Sequence, residues 1–511
     1  MAETRSEDGD RRGKNVVICC DGTGNQVSGD LSNVLKLFRI ASKDDRQRVY
    51  YHPGVGTIGE DSDWARRVQD AKAVLGLVTG WGLDDNILGA YRFLCRTWEE
   101  GDRIFLFGFS RGAYTVRALA GFIHMIGLLR PDQLDIAGYA LTAYKKCGGA
   151  HEERQAVALK ARGAVDEPDE AGHEAISETR KADENDPFEA AWDFSRTVAA
   201  RRATIHFMGV WDTVASMIVP RRDRLGFQLR TLPYTRRNPS VRAFRHAMAV
   251  DERRRMFRLN RWDEGQMFVE RPFHPKRIIP QDCAQRWFAG VHSDIGGGYP
   301  EPESSLSKLP LIWMIEEAVN VEDGLRINTQ MFNHLARGIP RKGWTHAYVA
   351  ADPCGPEHNS LTKYWQPLEY VPKSTRWREW RKGTLGFYFP RGEPRVVEPG
   401  ATLDPGVEQR LAGCPNLNPR YAPINLVEPR ESLPPEPASA KLWRAATGIT
   451  LMALAGAGLA WCIWRVWGKV GPFLLGLGLT TATVGAALFI TLFVGTAWGL
   501  LRDLRERRSG K

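Results

Sequence analysis

Short apolar runs alternate along this chain with longer segments whose apolar residues recur at helical spacing. The runs have the length and continuity of buried parallel strands, which are covered on both faces. They comprise Val16–Cys20, Arg48–His52, Ile104–Phe107, Thr204–Val210 and Arg286–Val291. Residues 84–99 predict an amphipathic helix, and a second helix directly after the third run ends near Leu129. Strands that alternate with helices in this way predict an α/β fold with a doubly wound, mostly parallel sheet.

Changes in composition predict the domain boundaries. Residues 1–14 are charged and lack the apolar core of a secretory signal peptide, so we expect a disordered amino terminus. One α/β domain is expected over residues 15–430. Within it, residues 146–190 are rich in charged residues and poor in aromatic ones, which predicts an exposed insertion, with a lid as the alternative. Residues 431–441 contain three prolines and predict a linker.

The segment after the linker is almost free of charge. Residues 445–464 and 473–501 contain no charged side chain, and each could cross a hydrocarbon core of about 30 Å. Tryptophans lie near their ends, as interface anchors do. Residues 442–501 therefore predict a two-helix transmembrane hairpin, followed by a basic tail at 502–511. Because the tail is more basic than the turn between the helices, we expect a membrane protein whose main domain and tail are cytoplasmic.

Charge and cysteine content narrow the expected partners. The chain has 70 Lys and Arg against 60 Asp and Glu, a formal net charge of +10. The excess of basic residues is scattered, and no zinc-finger, RNA-recognition or phosphate-loop motif accompanies it, so we expect no nucleic-acid partner. A basic surface would also suit a membrane of anionic lipids. The eight cysteines form no Cys-x-x-Cys pair, which predicts reduced thiols and no disulfide framework. No ligand spacing recurs, so neither a metal nor another cofactor is expected.

A Gly-x-Ser-x-Gly motif follows the third apolar run. Ser110 lies between Gly108 and Gly112, at the junction of a predicted strand and a predicted helix. This context is typical of a nucleophile elbow, a tight turn that presents a serine hydroxyl at the carboxyl edge of a sheet. A Cβ at either glycine would collide with the neighbouring strand or helix. The alternative is a strand-to-helix turn that merely carries a serine.

We expect two further residues to complete a hydrolytic triad with Ser110. A serine hydroxyl needs a base, and that base needs an acid to orient it. Asp212 and His292 each end an apolar run, so the order Ser, Asp, His places all three at one sheet edge. We expect His292 to take the Ser110 proton and Asp212 to orient the imidazole. Asp294 is the alternative acid, and a polar loop or turn cap is the structural alternative for either partner.

Acyl transfer also requires donors for the developing oxyanion. One is expected to be the backbone N–H of Arg111, which follows the nucleophile. The loop after the first run contains two glycines, and we expect Gly22 and Thr23 to supply the other. A glycine-rich turn without a catalytic part is the alternative.

Together these residues resemble a known group of proteins. It is the α/β-hydrolase family, long catalogued as a domain of unknown function, that includes the phospholipase effectors of bacterial type VI secretion. The likeness covers residues 14–430. Its matching stretches are Cys20–Asn25, Pro53–Thr57, Gly108–Ala113, Gly209–Val214 and Gly290–Tyr299, with weaker matches at His358–Leu361 and Tyr421–Leu426.

The resemblance implies an enzyme of the phospholipase A type, which hydrolyses acyl esters of membrane lipids. With the predicted hairpin, this gives a membrane-anchored serine hydrolase, either a secreted effector or a housekeeping lipase. Two alternatives remain open: a carboxylesterase or thioesterase that acts on soluble esters, and a non-catalytic membrane scaffold that retains the hydrolase fold. The intact Ser110, Asp212 and His292 argue against the scaffold.

Overall fold

The structure is a computed structural model, and it describes the chain over separate ranges. The described residues are 13–22, 31–54, 82–148, 187–214, 218–220, 227–229, 232–270, 278–362, 365–370, 373–374, 387–415, 417 and 420–427. The predicted disordered terminus, the insertion, the linker, the hairpin and the tail fall largely or wholly outside these ranges. Their boundaries stay predictions.

Twelve strands lie within the described residues. They are β1 (Asn15–Cys20), β2 (Gln47–His52), β3 (Arg103–Phe109), β4 (Ile205–Trp211), β5 (Ile218–Pro220), β6 (Phe227–Leu229), β7 (Val241–Ala249), β8 (Met267–Val269), β9 (Ile278–Pro280), β10 (Asp282–Phe288), β11 (Lys373–Ser374) and β12 (Phe387–Tyr388). Six of them form a parallel sheet in the order β10-β7-β4-β3-β1-β2. The chain reverses its direction of winding between β1 and β3, and such a switch point opens a crevice at the carboxyl ends of the strands.

Helices cover both faces of this sheet. The described α-helices are Asn33–Ile40, Leu83–Thr97, Arg111–Ile126, Pro187–Thr197, His292–Gly296, Ser305–Asn320, Thr329–Leu335, Gln366–Glu369, Pro405–Ala412 and Ile424–Val427, with a further helical stretch at 137–148. In β1, Val16 and Ile18 pack into one hydrophobic cluster, whereas Val17 and Cys19 pack into the other. All four side chains are fully buried. A strand covered on both faces explains why its sequence is a continuous apolar run.

The chain divides into two compact units. The first comprises residues 1–221, 227–360 and 397–423, and it contains the six-stranded sheet. The second comprises residues 222–226, 361–396 and 424–511. Its described parts include the antiparallel pair of β11 and β12, and a turn in which Gly392 donates its backbone N–H to the Glu369 carboxylate.

Strand β7 was not predicted, although it lies inside the sheet between β4 and β10. Its sequence carries Arg242, Arg245 and His246, which interrupt the apolar pattern. Arg245 is buried because it forms ion pairs with Asp282 at 2.8 Å and with Glu317 at 2.5 Å. Paired charges can be buried where lone charges cannot, so a strand of mixed composition is tolerated there.

The turn at Ser110 has the packing predicted for an elbow. Ser110 adopts φ 56° and ψ −118°, a conformation that is strained for a residue with a side chain. A Cβ on Gly112 would overlap the backbone carbonyl of Cys20 in β1, and a Cβ on Gly108 would overlap the backbone at Gly112. The predicted packing requirement for both glycines is therefore confirmed.

The sheet fits the predicted α/β class, but the predicted fold was wrong in its second part. Across the described residues, no helix is both long and apolar enough to cross a membrane. The longest of them, such as Arg111–Ile126, have 16 residues and include charged side chains, so they reach only about 24 Å at 1.5 Å per residue. Residues 442–501 lie outside the described ranges. The transmembrane hairpin, and with it the two-span membrane localisation, is corrected accordingly.

The prediction that all cysteines are reduced was also wrong. Cys354 and Cys414 form a disulfide across a sequence separation of 60 residues, with their Cα atoms 5.6 Å apart. Cys19, Cys20 and Cys95 are free and buried. No spacing motif marks the bonded pair, because the two cysteines meet only through the tertiary fold.

We predict that Gly112→Ala destabilises the protein. The added methyl group has no room beside the Cys20 carbonyl, and overpacking of this kind costs about 1–3 kcal/mol. Gly138→Ala is the matched control, since Gly138 lies in a helical stretch with open space around it. Urea denaturation should show a lower free energy of unfolding for Gly112→Ala alone. Equal stability of the two variants would contradict the close packing at the elbow.

Candidate active site

The ends of four parallel strands bring the predicted site residues to one edge of the sheet. Cys20 of β1 lies opposite Gly108 of β3, and Phe109 lies opposite Trp211 of β4. Strand β10 ends at Phe288, opposite Ala249 of β7. The residues that follow these strands, among them Ser110, Asp212 and His292, therefore leave the sheet on the same side.

Ser110 connects β3 to the helix Arg111–Ile126, called the elbow helix below. Its backbone N–H donates to the carbonyl of Trp211 at 3.1 Å, which ties the turn to the neighbouring strand. Its side chain is buried, with 7% of the residue exposed. The Ser110 hydroxyl makes no hydrogen bond to any described residue, so none of them holds it in place.

Asp212 and His292 form a close buried pair. The imidazole Nδ1 lies 2.5 Å from Asp212 Oδ2, and Oδ1 of the same carboxylate accepts the backbone N–H of Ala249 at 3.0 Å. Asp212 adopts φ 38°, a left-handed conformation that aspartate tolerates better than most residues. Burial lowers the pKa of His292, whereas the hydrogen bond and charge of Asp212 raise it. The net shift is downward, so the imidazole is neutral at pH 7 and can accept a proton.

Aromatic contacts fix the position of the His292 ring. Its centroid lies 4.7 Å from the ring of Phe109 and 4.8 Å from the ring of Phe257, which meets it edge-on. Since Phe109 directly precedes Ser110, the imidazole lies beside the elbow. The Ser110 hydroxyl and the imidazole are not hydrogen-bonded to each other within the described structure. In enzymes without a bound substrate, such hydrogen bonds often tighten only in the complex.

The alternative acid, Asp294, faces a different histidine. Its Oδ1 lies 2.7 Å from Nδ1 of His358, and its Oδ2 accepts the backbone N–H of His358 at 3.2 Å. The other ring nitrogen of His358 lies 3.1 Å from Glu303. The structure thus brings Asp212, and not Asp294, to the His292 side chain.

The predicted oxyanion donors differ in their availability. Arg111 is the first residue of the elbow helix, so its N–H has no acceptor within the helix. Gly22 donates its N–H to Asp21 Oδ1 at 2.7 Å, which occupies that donor. Thr23 lies outside the described residues.

Sequence reasoning missed the carboxylates that surround this site. Asp21 accepts hydrogen bonds from the hydroxyls of Tyr51, at 2.9 Å, and Ser32. Glu252, which is 1% exposed, accepts the backbone N–H of His292 at 3.2 Å. Its position shortly after the end of β7 could have identified it, but that strand was not predicted. Within the described ranges, no group of three or more His, Cys, Asp or Glu side chains is arranged to hold a metal ion.

A family model matches residues 14–317, which include the elbow, Asp212 and His292. It describes the catalytic domain of Tle1-like phospholipase effectors of type VI secretion systems. The resemblance drawn from the motifs is thereby confirmed.

The chain is also similar to individual proteins. An uncharacterised protein of Saccharomyces cerevisiae, YEL023C, is 33% identical over 278 residues, which are 53% of this chain and 35% of the yeast protein. A structure of an uncharacterised Pseudomonas aeruginosa protein has a TM-score of 0.28 at 18% identity, covering 60% of this chain and 45% of that one. A structure of the Tle1 effector bound to the VgrG spike has a TM-score of 0.26 at 18% identity, with coverages of 58% and 53%.

We predict that Asp212→Asn lowers the pKa of His292 further, because the amide keeps the shape of the side chain but removes the charge that raises this pKa. A folded-state pKa below the unfolded value means that the unfolded chain binds more protons as pH falls below about 6.5. As the pH is lowered, the free energy of unfolding should therefore decrease more steeply in Asp212→Asn than in the wild type.

The measurement is an NMR titration of the His292 ring, with urea denaturation at several pH values. Asp45→Asn is the control, because the Asp45 side chain is 96% exposed and lies outside the site. An unchanged His292 titration in Asp212→Asn would contradict electrostatic coupling within the pair.

Proposed function

The chain belongs to the Tle1-like phospholipase effectors of type VI secretion systems, because residues 14–317 match their catalytic domain. From this premise we propose that it is a serine hydrolase that cleaves acyl esters of phospholipids. Membership of this family supports a lipase-type hydrolase. The serine mechanism, the triad and the substrate are the proposal. The observation that carries it is the 2.5 Å contact between Asp212 and His292, with the imidazole packed against the residue that precedes Ser110.

The proposed reaction is acyl transfer in two steps. His292 takes the Ser110 proton while Oγ attacks the ester carbonyl, and Asp212 stabilises the imidazolium that forms. The Arg111 N–H stabilises the oxyanion. Thr23 is the remaining predicted second donor, because the Gly22 N–H is bound to Asp21. His292 then protonates the leaving alcohol oxygen. Water, activated by the same imidazole, hydrolyses the acyl-enzyme and restores Ser110.

The Arg111 side chain favours a substrate with an anionic group. It is half-buried, and burial lowers its pKa to about 10. It forms no ion pair or hydrogen bond with the described residues, although it directly follows Ser110. A partly desolvated guanidinium that has no counter-charge among the described residues is suited to a phosphate, which it can bind through two parallel hydrogen bonds. We therefore propose that Arg111 contacts the phosphate of a glycerophospholipid.

Labelling with a fluorophosphonate probe tests the nucleophile. The full chain should be labelled, and Ser110→Ala should abolish both labelling and ester hydrolysis, a loss of about 10⁴-fold or more in kcat. His292→Ala should lose turnover to a similar extent with the protein still folded. Absence of labelling in every detergent condition would sink the proposal and favour a non-catalytic scaffold.

Arg111→Gln tests the substrate class. Loss of a charge-assisted phosphate contact should lower kcat/KM for a glycerophospholipid in mixed micelles by about 10–100-fold. Hydrolysis of a soluble p-nitrophenyl ester, which has no phosphate, should change by less than about threefold. Equal losses on both substrates would refute the phosphate contact. High activity on soluble esters alone in the wild type would point to a carboxylesterase or thioesterase.

A further inference from the structure

Three successive backbone N–H groups lead into the helix His292–Gly296, called the histidine helix below, and each donates to a different carboxylate. The pairs are Gly290 with Asp251 at 2.7 Å, Val291 with Asp294 at 3.0 Å, and His292 with Glu252 at 3.2 Å. We call Asp251, Glu252 and Asp294 the carboxylate brace. The N–H of the first helical residue, His292, lacks a partner within the helix, and it and the two N–H groups before it each bind a carboxylate.

A second layer of residues holds the carboxylate brace from the other side. The Tyr421 hydroxyl donates to Asp251 at 2.8 Å, Ser360 Oγ donates to Glu252 at 3.0 Å, and His358 binds Asp294 through Nδ1 at 2.7 Å. We call His358, Ser360 and Tyr421 the outer residues. They come from the two stretches, 358–361 and 421–426, that carried only weak motif matches and that the proposed reaction does not use.

The histidine helix depends on such support. It has five residues, far fewer than a helix needs to be stable on its own. Gly290, which precedes it, adopts φ 111°, a conformation that only glycine adopts readily and that does little to restrain the chain. The local sequence therefore fixes the direction of the His292 side chain only weakly.

Two members of the carboxylate brace, Glu252 and Asp294, lie beside basic side chains. Arg254 lies 2.9 Å from Glu252, and its guanidinium lies 3.6 Å from the ring centroid of Phe257, which also contacts His292. Burial works against a charge on His358, but hydrogen bonds to Asp294 and Glu303 raise its pKa. The protonated ring then donates from both nitrogens.

From these contacts we propose that the outer residues are positioning residues, which hold the His292 imidazole at the elbow through the carboxylate brace. This inference rests on the proposed serine hydrolase mechanism. None of the three outer residues contacts the reacting atoms. Each acts through one carboxylate on one backbone N–H at or just before the start of the histidine helix.

Two small deletions test the arrangement. Tyr421→Phe and Ser360→Ala each remove one hydroxyl, and each should lower kcat for a soluble p-nitrophenyl ester by about tenfold, with KM unchanged, because the base is misplaced. Ser360→Thr, which keeps a hydroxyl, should recover most of the loss. Tyr139→Phe is the control, since Tyr139 is 74% exposed and lies outside the site. The rate of fluorophosphonate labelling should follow kcat.

A pH measurement tests whether the carboxylate brace lies close enough to act on the His292 imidazole. The groups that act on His292 are Asp212, Glu252 and Arg254: burial lowers its pKa, the two carboxylates raise it, and Arg254 lowers it. Glu252→Gln removes one charge, so the His292 titration measured by NMR should move to lower pH. The acid limb of kcat/KM should move with it. A variant that is only destabilised would lose activity, but neither its His292 titration nor the acid limb of its kcat/KM would move.

The outcomes distinguish the two proposals. If Ser110→Ala retains labelling and turnover, the proposed mechanism fails, and the NMR titration of Glu252→Gln still tests the carboxylate brace without activity. If the wild type reacts through Ser110 but the Tyr421→Phe and Ser360→Ala variants retain full kcat, the positioning role is overturned. An unchanged His292 titration in Glu252→Gln overturns it as well.

Discussion

The arrangement of the site depends on one buried contact, the carboxylate of Asp212 against the imidazole of His292. A fully buried carboxylate must be paired or hydrogen-bonded to be tolerated, and here both oxygens have partners. The contact joins the end of β4 to the segment after β10, two strands that are separated in the sheet by β7. It can form only if the sheet order and register are correct, so the fold and the chemistry are linked at this point.

The sequence predicts the parts of the fold that follow simple patterns. Apolar runs identify five of the six strands in the parallel sheet, and the Gly-x-Ser-x-Gly motif locates the elbow, because packing forbids a side chain at Gly108 and Gly112. Strand β7 was not predicted, because the buried charge of its Arg245 is compensated by Asp282 and Glu317, which are distant in sequence. Only the folded chain reveals such compensation. The disulfide was missed for the same reason.

Site residues were predictable to different degrees. Ser110, Asp212 and His292 each follow an apolar strand, and that position is visible in the sequence. Asp251 and Glu252 follow β7, a strand that was not predicted, and the outer residues carry no comparable signal. Their importance lies in which backbone N–H groups they reach, and this is set by loops whose course the sequence does not indicate. The transmembrane hairpin was predicted from local hydropathy alone, over residues outside the described ranges, and no helix within those ranges is long and apolar enough to cross a membrane.

The disulfide between Cys354 and Cys414 links the thermal stability of the molecule to the redox state of its surroundings. It closes a loop of 60 residues that contains His358 and Ser360, and closing a loop of this length is worth about 4 kcal/mol in the chain-entropy account. Where thiols are kept reduced, that contribution vanishes; in an oxidising compartment it persists. The same polypeptide should thus be markedly harder to unfold outside a reducing cytosol than inside one.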